Sequence, residues 1–395
     1  MGKILFVTNR NILTTSGELR LIKNRAEALY TEYGVVSDFV VLQKRDRIVS
    51  EKREAIEAGG ELVAFELSIK KPYKSVKHYF DMKKYVLKTL MHGGYDAVIL
   101  SGPGMVNLAK RVKKNLKVRV IIDIHGSSED ILALTSKKGL LSKMKSKVVY
   151  FIDSKSLKKN LCYADGCFVV TRDLEAYVKS NFNPTTECQY YVAPCATSVT
   201  TVDLDMYRIN RENYRKKYNV DDEVVFIYSG GVSSWQCIEE TLQLFRKIRD
   251  SAKFKCRLLM FSHNTEFIRE MVGDDESVTV DSYSPDELAK ALTAGDYAFL
   301  LRTDCITNNV AFPNKYLEYV LSGMKIIATP YIYEVARQIA RHEIGFLYNM
   351  NGEIGELFSY LSRSYKSESN WKEREKVLFE NSFKERLSSF VKELS

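Results

Sequence analysis

The residues best suited to chemistry gather at the ends of apolar runs. VVFIYSGG (Val224–Gly231) closes on Ser229-Gly230-Gly231 and leads into the amphipathic stretch VSSWQCIEETLQLF (Val232–Phe245). Glycine lets a backbone approach a ligand closely, and a helix starting soon after offers unpaired N–H groups to a diphosphate. A plain strand-to-helix turn would use the same residues. Downstream, Leu300-Leu301-Arg302 ends another apolar run. A polar loop with Asn308 and Asn309 follows, and Pro313 precedes Asn314-Lys315-Tyr316-Leu317-Glu318. Proline suits a helix start, which puts Lys315 in the first turn and Glu318 one turn on, on the same face. A cation at that end of a helix is unfavourable without an anion nearby, so the placement fits a bound phosphate. Glu318 is of the type that accepts both hydroxyls of a ribose, although an exposed Lys–Glu pair has the same spacing.

The first half offers two further groups. Val118–Ile124 runs into Asp123-Ile124-His125-Gly126-Ser127-Ser128-Glu129-Asp130, which places a histidine and two acids beyond a strand. They are candidates for proton transfer or ligand contact, and a structural hydrogen bond would also use a lone histidine. Thr14-Thr15-Ser16-Gly17-Glu18 follows the first apolar run; Gly17 there either helps orient a substrate or belongs to an ordinary Ser/Gly helix entrance.

Parallel strands must position these groups. Short runs rich in Val, Ile, Leu and Phe predict strands at Ile4–Thr8, Asp38–Leu42, Leu62–Glu66, Ala97–Ser101, Val118–Ile124, Gly166–Thr171 and Tyr190–Ala193. A second series follows at Val224–Tyr228, Arg257–Phe261, Val278–Val280, Tyr297–Leu301, Lys325–Ala328 and Gly345–Leu347. Helix-period segments intervene, among them Val148–Cys162 and Lys315–Ser322. Unbroken apolar strands separated by helices imply parallel sheets covered on both faces. The expected fold class is therefore α/β, with two tandem Rossmann-like, doubly wound domains: an N-terminal domain over 1–195, a second over 196–370, and C-terminal helices over 371–395 that pack back toward the first. Ligands of such sheets bind beyond the carboxyl ends of the strands, so the two domains are expected to face one cleft.

Composition bounds the rest. At 395 residues, 45% hydrophobic and 28% charged, the chain has the make-up of an ordinary globular protein of more than one domain. No run approaches the roughly eighteen apolar residues of a membrane span, so a cytoplasmic protein is expected, with any membrane contact peripheral. The seven cysteines have no paired spacing and the five histidines no HExxH grouping, so neither a disulfide framework nor a metal site is expected. The net charge of +9 is uneven, about +13 through Thr200 and about −4 beyond. Clusters at Lys70–Lys77, Lys110–Lys117 and Lys137–Lys159 suggest an anionic membrane surface or a phosphate-bearing partner rather than nucleic acid, for which no RNA-binding or helix-turn-helix pattern is present.

Residues 224–330 resemble the donor-binding domain of GT-B glycosyltransferases, specifically the retaining family 4 group. The resemblance lies in YSGG with Trp235-Gln236, in Arg302 at a strand end, and in FPNKYLEYVLSGMKIIATP (Phe312–Pro330). It implies a GT-B fold and a transferase that moves a sugar from a nucleotide-diphosphate sugar to a glycan or lipid-linked acceptor in surface polysaccharide assembly, with retention. Gly230 and Gly231 would then flank the donor diphosphate, Lys315 would neutralise it, Glu318 would bind the ribose, and Asn309 would lie on the donor side. Arg302, Lys315 and His125 would be the catalytic set. Gly17, Glu129 and Asp130 would lie on the acceptor or sugar side. No cofactor or metal is implied, because side-chain cations can carry the leaving-group charge. One departure stands out: the family's first glutamate, about eight positions before the second, is replaced here by Val310. Alternatives of the same fold are a nucleotide-sugar 2-epimerase, which needs no acceptor, and a non-catalytic partner protein.

Overall fold

The computed structural model describes residues 2–9, 17–43, 62–66, 72–102, 104–133, 139–182 and 188–394, without the side chains of 17–20, 42–43, 62–66 and 72–79. Residues 14–16 and the lysines at 70 and 71 lie outside this set, and of the lysines at 74 and 77 only the backbone is described. The chain divides into two compact units, Met1–Ser198 with Phe383–Ser395, and Val199–Ser382.

The first unit is built on a seven-stranded sheet ordered β3-β2-β1-β4-β5-β6-β7, every neighbouring pair parallel. Its strands are β1 (Lys3–Thr8), β2 (Val36–Gln43), β3 (Leu62–Glu66), β4 (Ala97–Ser101), β5 (Arg119–Ile124), β6 (Gly166–Val169) and β7 (Gln189–Val192). The second unit has six strands ordered β10-β9-β8-β11-β12-β13, again all parallel. They are β8 (Val224–Ser229), β9 (Cys256–Phe261), β10 (Val278–Asp281), β11 (Tyr297–Leu300), β12 (Lys325–Ala328) and β13 (Gly345–Leu347).

Alternation along β1 shows why the sheet must be covered twice. Ile4 and Phe6 enter one core with Ile22 and Leu29, while Leu5 and Val7 enter another with Val86 and Leu108. Both sets are fully buried, so neither face can be left to water. Three aspartates repeat one local device at strand starts. Asp96, Asp165 and Asp296 each precede a strand and accept the backbone N–H of Lys3, Val120 and Val225 respectively, at 2.7–2.9 Å. Each bond ties the start of one strand to its neighbour and so helps set register.

The terminal segment is shared between the units. Helix Trp371–Glu380 packs on helices Asn314–Leu321 and Tyr333–His342 of the second unit. Its buried Arg374 donates to the carbonyl of Met324 at 2.7 Å and to Ser369 Oγ at 2.6 Å, holding the chain just beyond Asn314–Leu321. Helix Phe383–Lys392 instead belongs to the first unit, where Phe390 sits edge-on to Phe168 and Tyr191. Phe390 is fully buried, so Phe390→Ala should cost about 3–5 kcal/mol by cavity formation. Urea denaturation followed by circular dichroism checks this; a loss under about 1 kcal/mol would mean that the last helix does not secure the first sheet.

Candidate functional site

In each sheet the strand order reverses direction once, between β1 and β4 and between β8 and β11. The carboxyl ends beside such a reversal are where open α/β sheets leave room for a ligand. In the second unit this point is flanked by the Gly230 turn after β8 and by Arg302 after β11.

Gly230 has φ of 144°, and its N–H donates to the Phe261 carbonyl at 2.8 Å. A Cβ added there would fall 1.4 Å from Lys315 Nζ, so the lysine ammonium occupies space that only glycine leaves free. Lys315 as a whole is half-buried, but its Nζ is buried and has no hydrogen-bond partner among the described residues. It lies 5.3 Å from the centre of the Tyr228 ring. Burial, then the charge of Arg302, push its pKa well below the usual lysine range, with Glu318 opposing weakly. Arg302 is itself buried. Its Nη1 donates to the Leu301 carbonyl at 2.7 Å, and its backbone is locked by paired bonds to Thr329 Oγ1. A buried guanidinium and a lysine whose charged form is disfavoured by burial thus stand at a glycine turn, and an anion there would favour the charged form of the lysine.

Two tyrosines that sequence reading overlooked hold the turn. Tyr319 Oη accepts the Ser229 N–H at 2.9 Å, and Tyr228 Oη donates to the Gly231 carbonyl at 2.6 Å. The signal was a tyrosine at the end of the apolar run VVFIY and another between Leu317 and Val320 in NKYLEYVL; both are buried, and a buried phenol needs a partner. The following helix contributes less than expected. It spans Ile238–Ser251, so residues 232–237 separate it from Gly231, and it carries Glu239 and Glu240 in its first turn. Those acids already answer its positive end, so anion attraction at this corner belongs to Lys315 and Arg302. Gly231 faces Gln236, whose Oε1 would be 3.4 Å from an added Cβ. Asn309 does not join the cluster through its amide nitrogen, which donates to Asp304 and to the Tyr331 carbonyl, each at 3.0 Å. Asn308 similarly closes its own loop onto the Thr303 carbonyl. Val310 is buried.

In the first unit, His125 Nε2 lies 2.7 Å from Asp123 Oδ2 and 3.4 Å from Ser101 Oγ. The second Asp123 oxygen pairs with Arg25 Nη1 at 2.7 Å, and Arg25 also donates to the Ala193 carbonyl at 3.0 Å while stacking on Phe168. Burial would raise the Asp123 carboxyl, but Arg25 and His125 together hold it well below the usual carboxylate range. This fixed charge favours a proton on His125 Nε2 and directs the other ring nitrogen, which has no partner among the described residues, to other use. A cavity of about 210 Å³ adjoins, lined by His125, Asp130 and the glycines Gly102, Gly104 and Gly126. Asp130 accepts from Ser127 Oγ at 3.1 Å. Glu129 is instead held by the hydroxyls of Tyr150 and Tyr177. Gly17 is the first residue of helix Gly17–Tyr33. Arg25 was legible as an arginine within the apolar stripe Ile22, Ala26, Leu29. Among the described residues no group of three or more His, Cys, Asp or Glu is placed to hold a metal ion.

Full-length likeness to solved structures accompanies this geometry. A glycosyltransferase from Rickettsia africae aligns at TM-score 0.71 and 13% identity, over 100% of this chain and 98% of that one. Sucrose-phosphate synthase from Thermosynechococcus elongatus aligns at 0.70 and 13%, over 100% and 99%. The Anabaena protein Alr3699/HepE, solved in complex with UDP, aligns at 0.70 and 10%, over 99% of both chains. The fold is GT-B. No family model matches the sequence, and no curated protein matches it.

Within this GT-B chain, Gly230→Ala tests the turn directly. The new methyl group must displace the flexible Lys315 tip and accept a strained φ, at about 1–3 kcal/mol. The variant should fold, with a slightly lower Tm, yet show no thermal stabilisation by a nucleoside diphosphate. Stabilisation equal to wild type would separate the turn from ligand binding.

Proposed function

We propose that this chain is a glycosyltransferase that moves a sugar from a nucleotide-diphosphate sugar to a glycan or lipid-linked acceptor in surface polysaccharide assembly, with retention. The observation that carries the proposal is the Lys315 ammonium, buried without a partner among the described residues against the Gly230 turn. The UDP held by the HepE structure supports a nucleoside diphosphate as the matching anion.

As the anomeric C–O bond breaks, its electron pair passes to the diphosphate; the acceptor oxygen bonds the anomeric carbon in its place, and its O–H bond breaks with the proton passing to the departing diphosphate oxygen. Lys315 and Arg302 stabilise the departing oxygens, so the leaving group is balanced by side chains rather than by a metal ion. Glu318, one helical turn from Lys315, takes the donor ribose. The first unit takes the acceptor side, where His125, oriented by Asp123, contacts the sugar or moves a proton, and Asp130 lies in the adjoining cavity. Glu129, held by two tyrosines, braces that wall instead of acting as a base. A second reading, a GT-B protein that binds a nucleotide without turnover, is favoured by the buried Val310 at the position where a glutamate is expected.

Incubation with uridine, guanosine and cytidine diphosphate sugars separates these readings. Diphosphate release that depends on an acceptor supports transfer, a C2 epimer formed without acceptor marks an epimerase, and binding without turnover supports the partner reading. Calorimetry tests the site. An anion beside Lys315 raises the depressed pKa, so binding takes up a proton between the free and bound pKa values, and affinity falls as pH rises through that window. Lys315→Ala should weaken binding by about 2–5 kcal/mol and abolish the proton uptake. Equal affinity in wild type and variant would remove the assignment.

A further inference from the structure

Helix Leu140–Asn160 turns its large apolar side chains to water rather than to the core. At about 100° per residue, the residues it buries, Ser146, Leu157 and Asn160, share one side. The opposite side carries Leu140, Leu141, Met144, Val148, Phe151 and Ile152. All six are exposed, Leu141 to 77% and Phe151 to 63%. A helix of a soluble protein normally turns such a stripe toward the core. Lysines stand among and beside these side chains: Lys143, Lys145, Lys147, Lys155, Lys158 and Lys159 are all exposed, and Asp153 is the helix's one acid.

We propose that this face docks on an anionic lipid bilayer. The leucine, valine, isoleucine and phenylalanine side chains reach the acyl boundary, while the lysine stems extend their ammonium groups to lipid phosphates. Charge decides against a second copy of this chain as the occupant, because two such faces would bring lysines against lysines. It favours a phosphate-rich surface, where each lysine adds attraction. The inner side of the same helix supplies Asp153 and Leu157 to the cavity beside His125. Docking therefore sets that cavity about one helix diameter, ~10 Å, from the headgroups. An acceptor anchored in the bilayer would be presented to His125 from there; this last step rests on the transferase reading, whereas docking itself does not.

Sedimentation of the full chain with phosphatidylcholine vesicles, and with vesicles also containing phosphatidylglycerol, tests the proposal. Binding is expected only to the mixed vesicles. Phe151→Ser with Ile152→Ser should abolish it, and Lys155→Gln, Lys158→Gln and Lys159→Gln together should weaken it on the order of a hundredfold. These side chains are exposed, so circular dichroism should be unchanged in both variants. Equal binding to both vesicle types, or variants that bind as wild type does, overturns the proposal. A dimer in size-exclusion chromatography that Phe151→Ser with Ile152→Ser converts to monomer, without vesicle binding by the wild type, would make the face an interface between copies and overturn it equally. Affinity for UDP, GDP and CDP measured on the same samples keeps the two readings apart. Vesicle binding without binding of any of the three removes the transferase reading alone, and nucleotide binding without vesicle binding removes docking alone.

Discussion

A lysine tip pressed against a glycine turn governs the second unit. Buried, and with no hydrogen-bond partner for Nζ among the described residues, Lys315 has its charged form disfavoured. The arrangement persists because the surroundings over-determine it. Tyr319 ties the lysine's helix to the end of β8, Arg374 holds the chain beyond that helix, and Gly230 leaves the space. Strain of this kind is maintained by neighbours whose own packing is sound. Arg302 is held nearby through Thr329 and the Leu301 carbonyl.

The first unit solves the opposite problem. Arg25, Asp123 and His125 form a chain in which the buried carboxylate faces a guanidinium on one side and an imidazole on the other, and it keeps its charge despite full burial. That chain orients an imidazole at a strand end, next to a cavity. One unit thus holds a buried lysine tip suited to an incoming anion, while the other holds a network suited to keeping a ring in a fixed position and tautomer.

Helix Leu140–Asn160 shows how periodicity can mislead. The sequence places this helix at Val148–Cys162. In the structure it begins eight residues earlier. Its apolar residues do follow helical spacing, but they point away from the core, which is buried instead by Ser146, Leu157 and Asn160. Pattern alone locates an apolar face; it does not say what that face covers.

Strand content and its division into two βαβ series were legible in the residues, because a parallel strand buried on both sides must be apolar throughout and leaves an unmistakable run. Gly230 and Arg302 at the ends of two such runs, and Lys315 in the first turn of a helix, were legible as residue types that report backbone approach and charge. What the runs could not tell is which ends meet. The order β10-β9-β8-β11-β12-β13 brings Gly230 and Arg302 to adjacent strands although seventy-odd residues separate them, and helix packing then drives Lys315 into the gap. The same holds for Arg25, whose partner Asp123 lies four strands further along the chain. Long-range pairing of charges depends on sheet order and helix docking, which are set by the summed burial of both cores and not by any local stretch of sequence.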